Sequence, residues 1–227
     1  MLDVTIARNR RRFYLDRGMR KKPIGAGSDL EGLMRLQRRP IDVKISELLG
    51  DIPWTVVGGI ATRAYMPERS TADVDILVEH ARFDEVRRRL KSDGWKPGND
   101  LAFPDASLGL RGTAWKRESE LDILSSGQAW ANEALSVEAY DQTGLRVVAL
   151  PYLVLMKLDA ARGIDQGDLS RMLGRLDDAQ LENVIAVVSR HLRDPQAIED
   201  IRQYAQLGRW ELERPKRARG DQDDTTS

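Results

Sequence analysis

The 227-residue chain predicts an α/β (α+β) fold, a mixed sheet with flanking helices, followed by a C-terminal helical unit. Three observations point there. Two short β-branched runs, "WTVVGG" (54–59) and "ADVDILV" (72–78), flank a short helical stretch. The segment "ARFDEVRRRLKSDGW" (81–95) then carries apolar residues at helical spacing. From Pro151 to about Leu207 the pattern is helical throughout.

Taken in order, "IGAGSDLEGLMRLQRRP" (24–40) offers Ser28 or Asp29 as the cap of a short helix that Pro40 ends. "IDVKISELLGDIP" (41–53) reads as a second helix, stopped by Gly50 and Pro53. Trp54–Gly59 is a strand ending in glycines, and Ile60–Met66 a short helix. Residues 72–78 form a strand. The helix over 81–95 turns Phe83, Val86 and Leu90 inward and closes at Gly94. Strands follow near 108–115 and 120–124, and "SVEAYDQTGLRVVAL" fits a hairpin with Gly144 in its turn. Pro151 stands at the tolerated first position of a helix, and helices over 152–162, 166–176, 179–192 and 195–207 complete the chain. The organisation expected is a basic N-terminal extension (1–40), an α/β core (41–150), a helical unit (151–210) and a charged flexible tail (211–227).

Composition narrows the function classes. At 41% hydrophobic residues the chain has enough apolar material for a packed core. Lys+Arg and Asp+Glu balance at 36 each, so overall charge argues for no nucleic-acid partner. The absence of cysteine excludes a disulfide scaffold and thiolate metal sites, and His80 and His191, far apart in sequence, make a weak case for zinc. No apolar run approaches a membrane span and the first dozen residues are charged, so a soluble cytoplasmic protein is expected. Charge is uneven, however. Residues 1–22 carry eight Arg and Lys against Asp3 and Asp16, and "RPKRARG" near the end is followed by an acidic tail. Solvated tails explain these segments, as would contact with a phosphate backbone.

The chemistry concentrates in "VVGGIATRAYMPERSTADVDILV" (56–78). Strand residues two apart share a face, so Asp73 and Asp75 project together with Leu77 beyond them, while Val74, Ile76 and Val78 turn to the core. Two carboxylates on one face repel, and a hard divalent cation such as Mg²⁺ relieves that repulsion with oxygen ligands. Asp122 in "ELDIL" would be the third acid, since Leu121 and Ile123 flank it and turn to the core; Glu120 on the same face is its backup. The strand–Gly58–Gly59–helix junction leaves backbone N–H groups at a helix start, a cradle for phosphate.

On these residues the chain resembles the nucleotidyltransferase fold of the DNA polymerase β superfamily: a glycine pair, a spaced Asp-x-Asp and a third acid on another strand. "RSTADVDILV", with Arg69-x-Thr71-x-Asp73-x-Asp75, is similar to the AbiEii-like small bacterial nucleotidyltransferases, many of them toxins of toxin–antitoxin pairs. The resemblance covers Trp54–Leu124 and extends loosely through "LPYLVLMKLDAARGIDQGDLSR" to Arg171. It implies that Arg69 and Thr71 stand at the nucleotide site, that Lys157 touches the triphosphate, and that Asp165 and Asp168 line the nucleotide. Asp165 and Asp168 also fit a helix N-cap and first-turn acid, Arg69 a loop cation, and Thr71 plain strand geometry. The chain departs from many relatives in having Gly59 where they have serine, and from some in having Ile164 where they have a basic residue.

The function expected is therefore Mg²⁺-dependent transfer of an NMP from an NTP such as ATP to a hydroxyl of a tRNA, a protein or a small molecule, with a cognate antitoxin as partner. Asp73 and Asp75 would hold the metal. Asp122 would help hold a second metal, lower the acceptor hydroxyl's pKa or take its proton. Two other readings fit the sequence: a catalytically silent nucleotide-binding or regulatory interaction module, and a nucleic-acid-binding protein using the basic N-terminal arm.

Overall fold

The computed structural model of the chain describes residues 41–67, 73–103, 107–117, 119–192 and 194–213. The helix expected within 24–40, the basic extension, Arg69, Thr71 and nearly all of the charged tail lie outside them. Helix α1 (Ile41–Leu49) ends at Gly50, whose φ of +57° suits glycine. Strand β1 (Trp54–Val57) runs into α2 (Gly58–Ala61) and a single 3₁₀ turn (Thr62–Ala64). Strand β2 (Asp73–Val78) is followed by α3 (Phe83–Ser92), which buries Phe83, Val86 and Leu90 as the periodicity requires. Gly94, at φ +85°, closes its C-terminal end.

Among the described residues five strands, the last three being β3 (Lys96–Leu101), β4 (Leu110–Lys116) and β5 (Glu120–Ser126), form one mixed sheet in the order β1-β2-β5-β4-β3. Strand β4 (Leu110–Lys116) pairs antiparallel with β5 (Glu120–Ser126), and β5 lies parallel to β2. Strand β1 is antiparallel to β2 on its other side. The predicted α/β class with a mixed sheet is thus the fold found. Beyond the sheet come α4 (Ala129–Ser136), α5 (Leu150–Ala160), α6 (Gly163–Leu173), α7 (Asp178–His191) and α8 (Pro195–Glu213). Pro151 sits at the start of α5, where its missing N–H costs nothing. A reciprocal capping box between Asp177 and Gln180 opens α7. Buried side chains from Ile45 in α1 to Ala205 in α8 join one hydrophobic cluster. Among the described residues no helix is long and apolar enough to cross a membrane.

Three local features go beyond the sequence reading and one expectation is corrected. Leu77 shares the acids' face yet is fully buried, so β2 is covered on both faces at that end. Strand β3 (Lys96–Leu101, "KPGNDL") escapes a pattern search because it is polar and exposed; it exists by pairing with the edge of β4, with a register shift between Pro97 and Asp100. Helix α4 is likewise unanticipated. It is anchored by Trp130, fully buried, whose indole N–H donates to the Leu108 carbonyl at 3.0 Å. Finally, the hairpin over 136–150 is reduced to a turn closed by a single Tyr140–Arg146 bridge. Its second arm leaves to pair with β1, Val148 N–H donating to Val56 O at 2.8 Å.

Candidate active site

The parallel ladder between β2 and β5 sets Asp75 directly opposite Asp122 and Asp73 opposite Glu120. Facing residues of a parallel pair project from the same side of the sheet, on strands about 4.8 Å apart. The three aspartates therefore share one face, and all three are partly buried. Glu120 shares the register but stands about half-exposed at the start of β5 and pairs with Lys116 at 3.9 Å. It lies toward solvent from the cluster.

Strand β1 brings the glycines to the same point. Val57, the last residue of β1, pairs with Asp75, so the chain turns into α2 beside that carboxylate. Gly58 takes φ +65°. A β-carbon there would fall 2.0 Å from Asp75 Oδ2. Glycine is thus required twice, for the left-handed conformation and for the closeness of Asp75. The Gly59 N–H favours the charged form of the Asp75 carboxylate, and Thr62 Oγ1 donates to Gly59 O at 2.7 Å, which fixes the turn.

Electrostatics single out Asp75. Burial pushes its carboxyl up to about 7, and the neighbouring Asp122 and Asp73 charges push the same way; Arg162 and the Gly59 N–H oppose them. Among the described residues no three His, Asp or Glu side chains converge closely enough to make a complete ligand set. The donors present nevertheless suit Mg²⁺, a hard ion that takes one or two carboxylates and fills its remaining positions with water and substrate phosphates.

Lys157, Asp165 and Asp168 come together, but below the surface. Lys157, 3% exposed, donates to Asp165 Oδ1 at 2.8 Å and to Asp168 Oδ2 at 2.7 Å, both acids being buried. Burial works to raise the Asp165 carboxyl, yet Arg162 and Lys157 hold it below the usual carboxylate range. The sequence reading missed Arg162. Its signal was the Arg162/Asp165 spacing of three residues at the start of a helix, where side chains meet.

No family model and no curated protein matches the chain. Solved structures give remote likenesses. The antibiotic-resistance factor ANT(2'')-Ia shares 15% identity with a TM-score of 0.39, over 75% of this chain and 91% of its own. JHP933 from Helicobacter pylori shares 16% with a TM-score of 0.40, over 81% and 94%. The lincosamide antibiotic adenylyltransferase LnuA shares 11% with a TM-score of 0.36, over 77% and 96%. All three are too distant to speak for a substrate or an activity of this chain.

Proposed function

We propose that the chain is a nucleotidyltransferase that moves an NMP from an NTP to a hydroxyl group, assisted by Mg²⁺. The observation that carries this reading is the in-register Asp75–Asp122 pair across the parallel β2–β5 ladder, with Asp73 on the same face and the Gly58 turn pressed against Asp75. A carboxylate face of this kind is costly to maintain in an otherwise apolar strand, and it is the donor set that a cation–triphosphate complex requires.

Asp75 and Asp73 would hold the ion, whose part is to offset negative charge on the phosphate oxygens. The polyphosphate would lie against the Gly58-Gly59 turn, with the ion between it and Asp75. Asp122, on the neighbouring strand, would orient the acceptor hydroxyl and accept its proton. The acceptor oxygen forms a bond to the α-phosphorus, the bond between that phosphorus and the bridging oxygen breaks, and pyrophosphate leaves with the electron pair. The acceptor classes in this proposal are tRNA, a protein hydroxyl and a small molecule. The motif resemblance extends it to the toxin half of a toxin–antitoxin pair.

The test is incubation of the protein with each α-labelled NTP, Mg²⁺ and whole-cell RNA or lysate. Label should pass to one acceptor class and should fail to do so in EDTA. Absence of any Mg²⁺-dependent transfer or NTP binding would overturn the proposal.

A further inference from the structure

The glycine turn is a joint between two arms, and one segment distant in sequence is fastened to both. The first arm is β1. Its Val56 N–H donates to Arg146 O at 3.2 Å, and the Val148 N–H donates to Val56 O at 2.8 Å. The second arm is α2 with the 3₁₀ turn that follows it. There Tyr65 Oη donates to Val148 O at 2.8 Å. Arg63 Nε donates to Asp141 Oδ2, and one of its terminal nitrogens donates to Thr143 Oγ1 at 3.2 Å. Residues 141–148 thus form a strut across the angle that β1 and α2 make at Gly58. The strut is rigid at its far end. The Asp141 side chain is 2% exposed. Its Oδ1 accepts from the Thr143 N–H at 2.8 Å, from Thr143 Oγ1 at 2.6 Å and from the Leu145 N–H at 3.0 Å. The two carboxylate oxygens divide their tasks: Oδ1 closes the turn around Gly144, and Oδ2 holds Arg63.

We infer that Asp141 and Arg63 are positioning residues: their ion pair fixes the angle of the Gly58 joint and so sets the seat of the polyphosphate beside Asp75. The inference rests on the nucleotidyl-transfer reading and deepens it. A joint at glycine has little resistance of its own, since Gly58, at φ +65°, has no β-carbon to restrict it. Helix α2 is only four residues long, and no side chain caps its start. A helix that short does not hold its own direction. Within the arm, Thr62 Oγ1 ties back to Gly59 O, so α2 and the 3₁₀ turn move as one piece and Arg63 steers the glycines from one turn further on. The clearance is small. A β-carbon on Gly58 would stand 2.0 Å from Asp75 Oδ2, so a swing of about an ångström changes the gap that a phosphate and its ion must share. The Arg63 side chain is 28% exposed, which leaves the pair a modest part in overall stability. Its effect is directional, because the guanidinium is held at two points of the strut.

The experiment titrates inorganic tripolyphosphate with Mg²⁺ into the full chain by calorimetry, at a temperature where melting curves show every variant fully folded. Asp141→Asn is a selective cut. Its side-chain carbonyl can still accept from Thr143 and Leu145, while an amide N–H now faces Arg63. It should weaken binding roughly tenfold, the scale of a small misplacement. Arg63→Gln should do the same, and the double variant should be no worse than either alone, because both cut one tie. Arg63→Lys, which keeps a cation for Asp141, should recover part of the loss. Gly208→Ala, which loosens the α6–α8 contact instead, is the control for lowered stability and should bind as wild type does. Wild-type affinity in folded Asp141→Asn and Arg63→Gln, or an equal loss in Gly208→Ala, would overturn the inference. With binding still lost in Asp75→Asn, the nucleotidyl-transfer reading would stand. A wild-type protein that binds neither Mg²⁺–tripolyphosphate nor any Mg²⁺–NTP would overturn both.

Discussion

Asp75→Asn should stabilise the metal-free protein while removing its activity. The carboxyl is pushed from an ordinary 3.8 up to about 7 by burial and by Asp122 and Asp73. At 1.36 kcal/mol per pH unit of displacement, keeping it ionised costs the fold about 4 kcal/mol at most. Asp75 is only partly buried, so solvent screening reduces the effect to roughly 1–2 kcal/mol. The sign follows from proton binding. A group whose folded pKa lies above its unfolded value holds its proton more tightly when folded. Stability from this group is therefore complete below about pH 4, declines as pH rises to about 7, and levels off above. Asparagine does not titrate, is nearly isosteric and keeps an oxygen for the Gly59 N–H. In EDTA, urea denaturation should show wild type and variant close together at pH 4 and the variant ahead by roughly 1–2 kcal/mol at pH 8. Saturating Mg²⁺ with NTP should reverse the order, because only the wild type gains binding energy in its folded state. A variant less stable than wild type at pH 8 in EDTA, or a difference that ignores pH, would refute the reasoning.

Three further substitutions probe the site and its frame. Gly58→Ala meets both a positive φ and a contact 2.0 Å from Asp75 Oδ2, and should cost about 2 kcal/mol or more in chemical denaturation. Asp122→Ala should bind Mg²⁺–NTP within a few-fold of wild type yet transfer roughly a hundredfold more slowly in single-turnover assays. Raising the pH should restore part of that rate if the carboxylate serves as the base. Gly208→Ala places a β-carbon 2.0 Å from Ser170 O where α8 crosses α6, and should lower stability by about 2–3 kcal/mol without touching NTP affinity.

Local chemistry made much of this fold readable in the sequence. Alternation in "ADVDILV" put Asp73 and Asp75 on one face, and the spacing of Phe83, Val86 and Leu90 gave α3 its buried side. Pro151 marked the start of α5. What escaped was determined by partners distant in sequence. "KPGNDL" has no strand signal of its own and is a strand because β4 offers it an edge. Alternation puts Leu77 on the acids' face, and the covering of that face at Leu77 comes from elements distant in sequence. The glycine pair was legible as a turn, whereas the close approach of Asp75 to Gly58 depends on β1 and β2 pairing in register. An ammonium in the apolar run 153–158 called for an explanation, and tertiary packing supplies it as two buried carboxylates rather than open access to a ligand. Arg162 pairs with Asp165 at a spacing of three that the sequence does show, whereas the burial of Asp165 against Lys157 is a relation no local pattern contains.

The most direct measurement is a paired assay with α-labelled and γ-labelled NTP, run on wild type and on Asp75→Asn with Mg²⁺ and the acceptor fraction. The account predicts that wild type transfers the α label alone, that the γ label leaves in pyrophosphate, and that the variant transfers neither. Transfer of the γ label, or transfer of the α label undiminished in Asp75→Asn, would contradict it.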